Sequence, residues 1–254
     1  MDLGLRDCVY IVTGGSRGLG RATAEALVAE GARVVLCGRD EEQVARTASE
    51  LGGAEHALGL PANLAVADSA AQLVAAAVAR YGRLDGALLS VGGPPGGMPT
   101  SISDDSWRAA FEQVFLGPLR VARAAAAEMR DAGGSIAFVL STSVKSPIPG
   151  LAVSNGLRPG LAMVAKDLAD ELGPRGVRVN GLMPGRIDTD RLRELDAASG
   201  RGARGRREQE ARIPLGRYGE PAEFGRVAAF VLSPAASYVN GALIPVDGGA
   251  LRAL

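Results

Sequence analysis

Residues 13–20, TGGSRGLG, combine the residue types and the spacing that seat a phosphate. They follow a short apolar run, CVYIVTG at 8–14, and open a stretch of helical period, GRATAEALVAEG. At such a strand-to-helix turn Gly14 permits the tight bend and Gly18 lets the backbone approach a pyrophosphate. Gly20 lets the helix pack close to the strand. The helix N-terminus then aims free N–H groups and partial positive charge at the phosphates. A glycine-rich turn alone serves equally well as a plain structural turn. Its position between a first strand and a first helix, with further apolar runs behind it, points to a dinucleotide.

The end of the second apolar run, LCGRD, discriminates between the two nicotinamide dinucleotides. An acid there would bond the adenosine ribose and repel a 2′-phosphate. Gly38 stands in that place and Arg39 follows, leaving room for a phosphate and offering it charge-assisted bonds. Arg17, inside the cradle, adds a second cation. The expected cofactor is therefore NADP(H), with the neighbouring Asp40 turned away.

These residues need a scaffold, and the rest of the chain describes one. Short apolar runs recur at 8–14, 33–38, 56–60, 86–91, 135–140, 177–182 and 242–247. Between them lie helical stretches such as SAAQLVAAAVARYG and SWRAAFEQVFLGPLRVARAAAAEM, with Ala and Leu at spacings of three and four. This alternation predicts an α/β fold: a Rossmann-type doubly wound parallel sheet of about seven strands with helices on both faces. No repeat or linker divides the chain, so one domain is expected over residues 1–254. The compositional break at 192–212, rich in Gly, Arg and Glu, reads as a mobile substrate-loop excursion that begins near 188.

Composition excludes several functions. The formal net charge is zero, against nucleic-acid binding by bulk electrostatics. Two cysteines without repeated spacing and a single histidine, His56, supply no metal cluster. No run reaches the ~18 apolar residues of a membrane span, and MDLGLRDCVY has no signal-peptide pattern, so a soluble cytoplasmic protein is expected.

The cradle's spacing is Gly-x3-Gly-x-Gly, and the chain resembles the short-chain dehydrogenase/reductase family over nearly its whole length. GRLDGALLSVGG resembles the family's fourth-strand segment, which usually ends Asn-Ala-Gly. RGVRVNGLMPGRIDT resembles its sixth strand and Pro-Gly turn. PLGRYGEPAEFGRVAAFVLSPAASYVNGALIPVDGG follows its C-terminal signature. The resemblance is to the single-domain branch of the 3-oxoacyl-carrier-protein reductases. It implies further cofactor contacts at Ser16 and Leu19, at Asn63 and Leu64 in PANLA, and at Ser90 and Gly92 in SVGG. Gly185, Ile187 and Thr189 of PGRIDT would flank the nicotinamide and its phosphate. Asn63 replaces the usual aspartate but can still donate and accept.

On the catalytic side the resemblance implies a tyrosine that protonates the carbonyl oxygen and a lysine four residues on. A serine after the fifth strand and an asparagine in the preceding long helix complete the set. These positions fall on Ser154, Arg158, Ser141 and Val114. A serine hydroxyl is far less acidic than a phenol, and arginine keeps its proton. Loss of a positioned general acid costs about 10²- to 10⁴-fold. Ser154 and Arg158 can bind an oxygen or an anion but do not repeat the tyrosine–lysine chemistry. Lys145, in the hydroxyl-rich LSTSVKSPIP, is a candidate proton donor if it is desolvated beside Arg158; a solvated loop lysine is the plainer reading. Tyr10, Tyr81, Tyr218 and Tyr238 fall in segments away from the nicotinamide, and Asp188 and Asp190 are expected to cap the next helix.

The expected function is hydride transfer between NADP(H) and a carbonyl or activated double bond of a small or carrier-bound substrate. The alternative is a catalytically inactive NADP-binding homologue serving as a regulatory or scaffold subunit. A homodimer or homotetramer is expected through long helices at 105–130 and 151–172, which carry more apolar side chains than one sheet-facing stripe needs.

Overall fold

In the strand β1, Val9–Val12, all four side chains are buried, as a parallel sheet covered on both faces requires. The computed structural model describes residues 2–129, 133–198, 200 and 202–253. Its other strands are β2 (Arg33–Gly38), β3 (Ala57–Pro61), β4 (Gly86–Leu89), β5 (Gly134–Val139), β6 (Val177–Pro184) and β7 (Leu243–Val246). They form one sheet in the order β3-β2-β1-β4-β5-β6-β7, parallel throughout. The order reverses between β1 and β4, and in open α/β sheets a ligand crevice opens at that switch point.

Strand residues alternate between two cores. Val9 and Ile11 face the layer of helices α3 (Ser69–Tyr81), α5 (Gly117–Glu128) and α6 (Ala152–Leu172). Tyr10 and Val12 face α1 (Gly18–Ala29), α2 (Glu41–Glu50) and the C-terminal helix Pro221–Leu232. The cores are built largely from Ala, Val and Leu, so small side chains bring helices close to the sheet.

Two helices depart from the periodic reading. The long helix expected at 105–130 is α4 (Asp104–Phe111), a π-helical turn at Glu112–Leu116, and then α5; Arg130 lies outside the described residues. Pro118 has no N–H for the Val114 carbonyl four residues back, and its ring crowds that position. The chain widens there, and the Gly117 N–H reaches back to the Glu112 carbonyl. In α6, Pro159 sits inside the helix and likewise leaves the Asn155 carbonyl without its usual donor. The Asn155 side chain ties the preceding loop to α6: its Oδ1 accepts from the Ile148 N–H at 3.1 Å, and its Nδ2 donates to the Ile148 carbonyl at 2.9 Å.

The segment read as an excursion carries two helices, α7 (Asp190–Ala198) and α8 (Gly202–Glu210), with Ser199 and Arg201 outside the described residues. The C-terminal helix at Pro221–Leu232 is thus α9. Among the described residues no helix is long and apolar enough to cross a membrane.

Candidate active site

A cleft of about 840 Å³ opens where the C-terminal ends of the central strands meet the N-termini of α1 and α2. The glycine turn forms its floor. The Thr13 hydroxyl donates to the Ser90 carbonyl at 2.7 Å, and the Gly15 N–H donates to the Cys37 carbonyl at 2.9 Å, fastening the turn across β1, β4 and β2. A Cβ on Gly20 would strike the Gly14 carbonyl, so only glycine permits this approach of helix to turn. Gly14, Ser16, Arg17, Gly18 and Leu19 all line the cleft.

At the β2 end the wall is Gly38, Arg39 and Asp40. A Cβ on Gly38 would lie 2.7 Å from the Ser16 Oγ and 3.0 Å from the Val44 Cγ2, so this corner resists a longer side chain. Asp40 caps α2, its Oδ1 accepting from the Gln43 N–H at 3.1 Å. Arg17 and Arg39 are exposed on the rim, and neither pairs with an acid among the described residues. Cys37 is buried behind them; burial pushes its thiol up to about 11, which keeps it protonated and inert.

Asn63, Leu64, Ser90, Gly92 and Thr189 also line the cleft. The Asn63 Oδ1 accepts from the Ala65 N–H at 3.1 Å, so its acceptor is committed to its own turn. Gly185 and Ile187 stand away from the opening. The Gly185 N–H donates to the Val246 carbonyl at 3.0 Å, and Ile187, 5% exposed, packs at the bridge to Gly219. The cap of α7 is the Thr189 hydroxyl, which accepts from the Leu192 N–H at 3.3 Å, and not Asp188 or Asp190. Asp188 instead bonds Arg193 and Arg206, each at 2.9 Å. Burial would raise its carboxyl, but the two guanidiniums outweigh that and hold it below the usual carboxylate range.

Farther in, Arg158 lines the cleft from α6 and is only 6% exposed. Its Nη1 donates to the Val139 carbonyl at the end of β5, at 2.6 Å. Burial lowers this guanidinium to about 10, still charged at neutral pH. Ser154, one helical turn before it, is also buried, and its Oγ lies 3.4 Å from that of Ser143. The Ser141 Oγ accepts from the Ser143 N–H at 3.1 Å. Ser141 and Ser154 thus form a hydroxyl layer with Ser143 beside the cleft wall rather than in it. Lys145 is exposed and does not line the cleft, so the desolvation that its donor role requires is missing.

Three residues that sequence pattern alone does not single out also belong here. Ser143 bridges Ser141 and Ser154; its signal was the hydroxyl density of LSTSVKS. Gln113 lines the cleft while Val114 is buried at 1% exposure. Tyr218 donates to the Asp196 Oδ2 at 3.0 Å and accepts from Arg186 at 3.2 Å, while Arg206 lies 4.5 Å over its ring. These contacts tie α7 and α8 to the turn after β6.

The chain is similar to known proteins over nearly its whole length. The family profile described as enoyl-(acyl carrier protein) reductase matches residues 14–250. The peroxisomal 2,4-dienoyl-CoA reductase of Saccharomyces cerevisiae is 32% identical over 247 residues, covering 95% of this chain and 83% of that protein. L-rhamnose 1-dehydrogenase (NAD(P)+) of Azotobacter vinelandii is 34% identical over 254 residues, covering 96% and 97%. The crystal structure of L-sorbose reductase from Gluconobacter frateurii, complexed with NADPH and L-sorbose, superimposes with a TM-score of 0.92 at 26% identity over the whole of both chains.

Proposed function

Because the chain belongs to the short-chain dehydrogenase/reductase family of pyridine-nucleotide-dependent oxidoreductases, we propose that it is an NADP(H)-dependent reductase of a carbonyl or activated double bond. The observation that carries this reading is the pair of rim arginines, Arg17 and Arg39, at a corner where Gly38 leaves no acidic side chain and Asp40 is turned into its helix cap. Two cations there favour a 2′-phosphate. The glycine floor fits a pyrophosphate, since a side chain on Gly20 would fill the turn.

NADPH supplies the hydride when bound. The chain's own groups hold the substrate oxygen and exclude water. Arg158 presents a fixed positive charge to the inner cleft, and Ser141, Ser143 and Ser154 supply hydroxyls behind it. The Gln113 amide offers the polar contact that Val114 lacks. A substrate that stabilises its own developing charge, small or carrier-bound, suits a site with no phenolic acid. The molecule is expected to be a homodimer or homotetramer. Phe111 and Met163 are 39% and 65% exposed, and Gly156 and Gly160 share the exposed face of α6 with Met163.

Serine and arginine at 154 and 158 also favour a second reading, a non-catalytic NADP-binding subunit. NADPH turnover against ketones, enones and quinones, run beside an NADPH-binding titration, separates the two. Tight binding without turnover supports the subunit; turnover supports the reductase.

A further inference from the structure

Arg158 is an anomaly in its surroundings. Apart from the exposed Arg17 and Arg39 on the rim, the arginines around the site answer acids: Arg186 pairs with Asp196, Arg193 with Asp188 and Asp190, Arg206 with Asp188 and Glu210, and Arg191 with Glu194. Arg158, 6% exposed, pairs with no acid among the described residues. A buried cation is costly unless a charge or hydrogen bonds compensate it. The Val139 carbonyl takes one of the five N–H groups in its planar fork. None of its nitrogens is both buried and without a partner, so the nitrogens that the Val139 carbonyl leaves keep some contact with the cleft that the residue lines. The acids on the same wall face elsewhere: Asp40 caps α2, Asp190 pairs with Arg193, and Glu194 pairs with Arg191.

A guanidinium fork matches two coplanar oxygens that share a negative charge. Resting on the reductase reading above, we infer that Arg158 seats an oxyanion of the substrate. The substrate class is therefore a carbonyl compound with a carboxylate beside the reducible group, or an alkene activated by two carbonyls, whose charge spreads over an enolate once hydride has added. Both sources present the same chemistry to the fork. Lysine at this position would offer a point charge; arginine adds the paired geometry.

The test uses the full-length protein saturated with NADP+, titrated calorimetrically with malonate and with 2,4-pentanedione, beside Arg158→Met and Arg158→Lys. At least one probe is expected to bind the unmutated complex about tenfold or more tighter than the Met variant, with Lys between them. Malonate binding identifies the carboxylate source. An affinity for pentanedione that rises about tenfold per pH unit below the diketone's own ionisation identifies the enolate source. Should the Met variant not fold, Arg158→Lys carries the comparison. The inference is overturned if neither probe binds, if Arg158 variants bind them equally well, or if the probes displace NADP+, because the fork would then serve the cofactor. NADP+ affinity is measured first in the same samples. Its absence refutes the reductase reading and this inference together; NADP+ binding with no response to either anion refutes this inference alone.

Discussion

Replacing Arg39 by alanine should erase the cofactor preference and little else. Arg39 and Arg17 are both exposed on the cleft rim, so their attraction to a 2′-phosphate acts through a largely aqueous medium. Two unit charges ~4 Å apart attract by about 1 kcal/mol in water and about 4 kcal/mol at an effective dielectric near 20. An exposed arginine belongs near the lower figure, and a phosphate carrying close to two charges brings it to about 2 kcal/mol, or roughly thirtyfold. NADPH should therefore bind at least tenfold tighter than NADH, and Arg39→Ala should remove most of that difference. NADH affinity should stay nearly constant, because that cofactor has no phosphate there. The preference should also shrink in 1 M salt, where the screening length falls to about 3 Å. Fluorescence titration with both cofactors measures all of this. Equal affinities in the unmutated protein, or an Arg39→Ala variant that weakens NADH as much as NADPH, would rule out a 2′-phosphate contact at Arg39.

Other consequences follow from the packing. Asn155→Ala removes two hydrogen bonds that hold residue 148 to α6, so it should cost about 1–3 kcal/mol in urea unfolding and speed proteolysis within 145–151. Met163→Arg, on the exposed face of α6, should shift the protein toward monomer by light scattering without changing its melting temperature by more than a few degrees. Arg217 donates to both Glu223 oxygens and, with the Glu220 N–H, holds that carboxyl down to about 2. A depressed acid stabilises the fold above its ordinary value of 4.5 and loses that contribution as pH falls toward 2. Arg217→Gln should therefore flatten the acid limb of a stability–pH curve.

The parts legible in the sequence were those governed by local rules. The cradle could be read because a turn that admits no side chain demands glycine at fixed offsets, and the strands because a sheet covered on both faces demands unbroken apolar runs. The place of Gly38 and Arg39 on the cleft wall was legible for the same reason: two adjacent residues at a strand end take their position from the strand. The catalytic side was less so. Pro118 turns one helical repeat into a π turn, and Gln113 is the residue that lines the cleft while its neighbour Val114 is buried. Periodicity alone carries no such register change. Ser143 joins Ser154 only because α6 packs beside the loop after β5, a tertiary fact. Tyr218, set aside by position, meets Arg186, Asp196 and Arg206 because the chain folds back after α8. Thr189 takes the cap expected of its acidic neighbours because Asp188 is drawn away by Arg193 and Arg206.

We propose that Ser154 and Arg158 belong to a working site built without tyrosine and lysine. The most direct test is steady-state NADPH oxidation by the unmutated protein across ketones, enones and quinones, repeated with Ser154→Tyr combined with Arg158→Lys. The expected result is turnover of at least one substrate class by the unmutated protein and loss of that turnover in the double variant. No turnover of any class by the unmutated protein, together with robust ketone reduction by the double variant, would contradict it.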